Sequence, residues 1–222
     1  MKPASSDQSA DLVVLVVDDD AHVREGIQGL LHTVRLQSKA YASASELFRS
    51  KLPAQAGCLI LDIRLPGSSG FDIHADLVKR NINIPTIFLS GYADIQMSVK
   101  AIKAGAVEFL AKPFRDEDLL DAVRAALDRD RYRREYEEKL NDLRRRYNGL
   151  SQREKQVMSF VVAGFMNKHI AKEIGLAEVT VKVHRHTLMK KMGARSLADL
   201  VRMADMLKLP PAPKTKQMSG TR

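Results

Sequence analysis

The chain has 222 residues, a net charge of +9, 45% hydrophobic and 28% charged residues, the proportions of a soluble globular protein with room for two modest domains. No apolar run approaches the roughly 20 residues of a bilayer-spanning helix, and residues 1–11 lack the basic and apolar regions of a signal peptide. No membrane association and a cytoplasmic location are therefore expected, and the single cysteine, Cys58, opens an apolar run that predicts burial.

Residues 1–11 are expected to be disordered. Five short apolar runs follow, at 12–17, 36–41, 58–61, 86–89 and 107–111, separated by stretches with helical spacing such as Ile27/Leu30/Leu31/Val34. Strands alternating with helices predict right-handed βαβ units and a doubly wound α/β domain with a five-stranded parallel sheet. The runs are nearly continuous, as expected of strands covered on both faces. The first domain is placed at 12–128.

Residues 116–147 read as one long helix without an internal Gly or Pro. Leu119, Ala122, Ala126, Tyr136, Leu140, Leu143 and Tyr147 fit a 3-4 stripe that Arg129 and Arg133 interrupt. Asp130/Arg134, Glu135/Lys139 and Asp142/Arg146 are favourable i,i+4 pairs. Residues 129–148 are therefore expected to form a helical linker, either an exposed charge-laced helix or one strand of a dimeric coiled coil.

Beyond it, Ser151 and Glu154 have the spacing of a capping box. Gly164, Gly175 and Gly193 separate short helices of a small all-α domain at 149–207, and 208–222 is expected to be a disordered tail. Charge is distributed unevenly. Up to residue 148 acidic and basic residues balance, while 149–222 holds 14 basic and 5 acidic residues and so carries the whole excess. That asymmetry predicts a polyanion-binding module joined to a neutral partner of different purpose.

Two places carry chemistry. The first strand ends in Asp18-Asp19-Asp20 and the third in Asp62; with strand order 2-1-3-4-5 those ends meet at the switch point where open sheets bind ligands. Clustered carboxylates call for a hard divalent cation, and Mg²⁺ fits best. Ser90 and Lys112 follow the fourth and fifth strands on the same edge and can serve a phosphoryl group. The second place is 167–185, which reads as helix, turn at Gly175, helix. On a helical wheel Val181, Leu188 and Met192 face inward, while Lys182, Val183, His186 and Lys190 face outward, toward a major groove. Arg185 lies beside the apolar stripe, which predicts packing or a phosphate contact. His184 and His186 do not share a helical face and have no cysteine or acidic cluster beside them, so zinc is not expected.

Val16-Val17-Asp18-Asp19-Asp20, Leu61-Asp62-Ile63-Arg64-Leu65-Pro66-Gly67, Leu89-Ser90-Gly91 and Leu110-Ala111-Lys112-Pro113-Phe114 resemble the motif set of two-component receiver domains. Leu150-Ser151-Gln152-Arg153-Glu154, Asn167-Lys168-His169-Ile170-Ala171 and Thr180-Val181-Lys182-Val183-His184 resemble the LuxR/NarL-type DNA-binding domain, and the combination resembles FixJ-like response regulators. The resemblance implies a flavodoxin-like receiver in which Asp62 accepts a phosphoryl group from a sensor histidine kinase. Mg²⁺ would be held by Asp19 and Asp62, by the main-chain carbonyl of Arg64, and by Asp18 through water. It further implies Ser90 and Phe109 as a switch pair, Lys112 as the phosphoryl contact and a cis Lys112-Pro113 peptide. In the second domain it implies base contacts from Lys182, Val183 and His186. Phosphate contacts are implied for Thr180 and nearby lysines, Lys168 and Lys190 completing the set. Double-stranded promoter DNA and a homodimer, formed by the last helix on DNA or after phosphorylation, are the implied partners. Two other classes compete: a Mg²⁺ phosphohydrolase, which usually has a second Asp where Arg64 stands, and an interaction protein with constitutive DNA binding. On the favoured reading the chain catalyses only its own phosphorylation and dephosphorylation.

Overall fold

The computed structural model describes residues 12–91 and 95–212; the expected disordered N-terminus, 1–11, lies outside them. Contacts divide the chain into two units, with the boundary between Arg134 and Glu135.

The first unit is built on β1 (Val13–Val17), β2 (Gln37–Tyr41), β3 (Ala56–Asp62), β4 (Arg64–Leu65), β5 (Ser68–Ser69), β6 (Thr86–Ser90) and β7 (Glu108–Ala111). Five strands form a parallel sheet in the order β2-β1-β3-β6-β7, the expected order, and β4 and β5 form a separate antiparallel pair. Helices α1 (Ala21–Thr33), α2 (Ala44–Arg49), α3 (Gly70–Lys79), α4 (Ile95–Lys103) and α5 (Asp116–Asn148) connect and follow them. Each central strand feeds two cores, as strand alternation requires. Val14, Val16, Cys58, Ile60, Ile87 and Leu89 pack against α1 and the first turns of α5. Leu15, Val17, Leu59, Leu61 and Phe88 pack against α2, α3 and α4. Continuous burial holds for β3 and β6 but not for β2 and β7. Those are the edge strands, covered on fewer sides. Cys58 is fully buried, as expected, and burial pushes its thiol pKa far up.

Helix α5 serves two cores in succession. Leu119, Ala122, Val123, Ala126 and Leu127 belong to the sheet domain, and Leu143, with Tyr147 beside it, to the C-terminal core. Tyr132 and Tyr136 between them are exposed. The three i,i+4 pairs expected on α5 form. The sheet domain does not stop at residue 128. Asp130 is fully buried and pairs with Arg133 and Arg134, and the Arg134 guanidinium donates to the carbonyls of Ala54 and Ala56 at 3.0 Å each. What reads as a break in the stripe is a polar continuation of it. Similarly the C-terminal unit takes in the end of α5 instead of starting at 149.

That unit contains α6 (Gln152–Val162), α7 (Asn167–Ile174), α8 (Glu178–Met192) and α9 (Leu197–Met206) around one core. Gly175 ends α7 with φ of 67°, a left-handed conformation that glycine adopts without steric cost. The chain does not loosen at 208: Leu209 packs on the core and the Ala212 N–H donates to the Ser159 carbonyl at 3.1 Å. The apolar Leu209 and Ala212 supply the contacts that a tail reading overlooks, and the rest of that tail, 213–222, lies outside the described residues.

The expected capping box is present, with Ser151 accepting from the Glu154 N–H and Glu154 accepting from the Ser151 N–H. Glu154 also accepts from Lys191 Nζ at 2.8 Å, tying α6 to the end of α8. Burial pushes the Glu154 carboxyl up, but Lys191 and Ser151 outweigh it and hold the pKa below the usual range. A depressed carboxylate contributes stability above its unfolded pKa, about 4.3, and loses it as pH falls through the folded value. Glu154→Gln should therefore lower stability at pH 7 by about 1–2 kcal/mol. In thermal unfolding the deficit should shrink on acidification, and an equal deficit in acid would mean that the charge contributes nothing.

Candidate functional site

The acidic pocket sits at the carboxyl ends of β1, β3, β6 and β7. Asp18 follows β1, whose parallel pairing with β3 brings it beside Asp62, the last residue of β3. Asp18 is fully buried and Asp62 nearly so, whereas Asp19 is exposed. Ligand oxygens of the three lie within 4.8 Å of one another, a set of hard oxygen donors that suits a hard divalent cation. Lys112 Nζ reaches Asp18 Oδ2 at 2.6 Å and Asp62 Oδ2 at 2.5 Å. Its backbone is fixed by the Lys112 N–H donating to the Ser90 carbonyl at 2.7 Å, and the Lys112-Pro113 peptide is cis, as expected.

Each carboxylate is also held locally. The Asp20 N–H donates to Asp18 Oδ1 at 3.0 Å and Arg24 donates to the Asp18 carbonyl at 2.7 Å, while the Arg64 N–H donates to Asp62 Oδ1 at 2.8 Å. Asp20 has a different task. It caps α1 by accepting from the His22 and Val23 N–H groups. Gly70 begins α3 directly against the Asp62 backbone, where an added Cβ would overlap the Asp62 carbonyl. Burial pushes the Asp18 carboxyl above its ordinary pKa despite Lys112. For Lys112 burial opposes the charge, but hydrogen bonds and attraction from Asp18 and Asp62 prevail and raise the ammonium pKa.

Ser90 is fully buried at the end of β6. Phe109 on β7 lies opposite Phe88, two residues before Ser90, so Ser90 and Phe109 occupy the same face of adjacent strands. Phe109 is only partly buried. The Asp62 carboxylate, the Lys112 ammonium, the Ser90 hydroxyl and a cluster of hard oxygen donors thus share one sheet edge. Such a set of groups is chemically suited to phosphoryl transfer.

In the C-terminal unit α7 and α8 form the helix-turn-helix. Val181, Leu188 and Met192 are fully buried, and Lys182, Val183, His186 and Lys190 are exposed, as the helical wheel predicts. Val183 is 60% exposed, unusual for a branched apolar residue on a basic face. Lys168 on α7 is exposed and Thr180 is partly buried. Lys182 lies 3.6 Å from Glu178, a loose surface pair that a stronger anion can displace. Arg185 donates to Asn167 Oδ1 at 3.1 Å across the two helices. Nothing in the local sequence pattern marks that pair.

The fold and pocket define a signalling receiver domain followed by a helix-turn-helix module. Residues 14–124 match the response regulator receiver domain and residues 148–204 match the bacterial regulatory proteins of the LuxR family. Nodulation protein W of Bradyrhizobium diazoefficiens is 50% identical over 91% of this chain and 89% of its own. The transcriptional regulatory protein FixJ of Rhizobium meliloti is 39% identical over 87% of this chain and 95% of its own. Among solved structures, that of the response regulator StyR matches with a TM-score of 0.77 at 44% identity, covering 88% of this chain and 98% of that one. The chain therefore belongs to the FixJ-like response regulators, transcriptional regulators that join a receiver to a LuxR-type DNA-binding domain. Among the described residues no helix is long and apolar enough to cross a membrane.

Proposed function

We propose that this regulator works in the cytoplasm, where Asp62 accepts a phosphoryl group from a sensor histidine kinase and thereby controls binding of α8 to promoter DNA. The meeting of Asp18, Asp62 and Lys112 within 2.6 Å contacts supports the reading most strongly. An Asp62 oxygen attacks the phosphorus as the bond to the kinase imidazole breaks. The protein positions that oxygen in line and offsets charge on a loose transition state. Lys112 exchanges its contact with Asp62 for one with a phosphoryl oxygen. Asp19, Asp62 and the Arg64 main-chain carbonyl would hold Mg²⁺, with Asp18 acting through water. When bound, the ion supplies neutralisation of phosphoryl charge.

The Ser90 hydroxyl then turns toward a phosphoryl oxygen and Phe109, on the same face, moves into the vacated space, a two-state bias from one local charge change. The chain modifies itself and turns over no separate substrate. On DNA, Lys182, Val183 and His186 read bases, while Thr180, Lys168 and Lys190 contact phosphates. The output step is either release of the C-terminal module or pairing of two chains.

Incubation with Mg²⁺ and acetyl phosphate should add one phosphoryl group and raise DNA affinity. Sizing the protein before and after separates the two routes, a monomer with higher affinity indicating release and a dimer indicating pairing. Unchanged affinity and unchanged size in the phosphorylated protein would overturn the proposed control.

A further inference from the structure

The helix-turn-helix contains a polar contact that its packing does not require. Asn167 is the first residue of α7, one position inside the cap. The cap residue itself, Met166, makes no side-chain cap bond. Asparagine is a strong cap but a weak residue within a helix. Here its Oδ1 is committed instead to the Arg185 guanidinium, 3.1 Å away and 18 residues later in the chain. Arg185 is half-buried beside the inward stripe of α8.

A guanidinium carries five N–H donors and a charge that cannot be removed. The bond to Asn167 uses one donor and neutralises nothing. Among the described residues Arg185 has no ion-pair partner, in contrast to the arginines on α5 that pair with aspartates. It is held at one edge by a neutral acceptor, with its charge uncompensated. The first helix of a helix-turn-helix crosses the DNA backbone while the second enters the groove. A guanidinium pinned to the start of that first helix is at the backbone, and its planar fork suits phosphate oxygens.

We infer that Arg185 is a DNA-backbone contact and that Asn167 is a positioning residue acting through it. The inference rests on the DNA-binding reading above. Its test is a salt titration of full-length protein on a mixed-sequence duplex, comparing Asn167→Ala, Arg185→Ala, Arg185→Lys and the double alanine variant. Arg185→Ala should reduce the slope of log affinity against log salt by about 0.9, one phosphate contact, and Arg185→Lys should restore it. Asn167→Ala should weaken binding about fivefold, the worth of one hydrogen bond. It should do nothing further once Arg185 is alanine.

A wild-type slope in Arg185→Ala, or full additivity in the double variant, would overturn the inference. Thermal unfolding separates it from folding damage, since affinity losses that merely follow a lowered midpoint in every variant would also overturn it. Wild-type protein with no salt-dependent DNA binding would instead defeat the DNA-binding reading itself, and the inference with it.

Discussion

Asp62→Asn is expected to abolish covalent phosphoryl uptake from acetyl phosphate, leaving intact mass unchanged where the wild-type protein gains one phosphoryl group. The amide nitrogen cannot replace the nucleophilic carboxylate oxygen, and no other carboxylate in the pocket is placed as Asp62 is. Asp18 is fully buried and Asp19 is exposed. The fold should survive at modest cost. Asn is isosteric with Asp, but it has one acceptor oxygen where two are used. Oδ1 of Asp62 takes the Arg64 N–H at 2.8 Å, and Oδ2 faces Lys112 Nζ at 2.5 Å. Whichever way the amide is turned, its NH2 meets one of these donors. The lost contact should lower stability by about 1–3 kcal/mol, measurable in thermal unfolding, while transfer disappears altogether. Equal phosphorylation of the variant would remove Asp62 from the proposed role.

Much of this site is legible before any fold is known, because a doubly wound sheet maps strand ends to one edge. Once 12–17 and 58–61 are read as parallel strands, Asp18 and Asp62 must be neighbours, and Ser90 and Lys112 follow from the same rule. The outward face of α8 is equally accessible, since helical period alone separates Val181 from Val183. The polar ties across the fold are not. Asp130 lies on the buried stripe of α5, but in sequence it is one charge among many. Only its neighbours Arg133 and Arg134, and the carbonyls of Ala54 and Ala56 from a distant segment, make its burial tolerable. The Lys191–Glu154 and Arg185–Asn167 contacts are similar, joining residues 37 and 18 positions apart. Short edge pairing such as Arg64–Leu65 with Ser68–Ser69 is likewise too brief to leave a periodic signal.

Lys112→Met tests the electrostatics of the pocket separately from its chemistry. Methionine preserves much of the apolar stem but removes the ammonium lying between Asp18 and Asp62. Two largely buried carboxylates would then face each other uncompensated. A broken buried pair costs about 3–5 kcal/mol, and the lower end, about 3 kcal/mol, is expected because the Lys112 side chain is 20% exposed. The pH dependence has a definite sign. Lys112 has its pKa raised in the folded protein, so its stabilisation is fully present below the unfolded lysine value, about 10.4, and is lost as pH rises through the folded value. Asp18 already has its pKa raised by burial, so ionising it in the folded protein is costly, and without Lys112 it is costlier still. The deficit of Lys112→Met should be greatest near neutrality and shrink as pH falls toward the unfolded aspartate value, about 3.9, where the carboxyl is protonated in both variants. Mg²⁺ should recover part of the neutral-pH deficit, because a divalent cation replaces the missing charge and stabilises the state that binds it. Paired thermal unfolding curves in neutral and acid buffer, with and without Mg²⁺, measure all three effects. A deficit indifferent to both pH and Mg²⁺ would show that Lys112 contributes through packing and not through its charge.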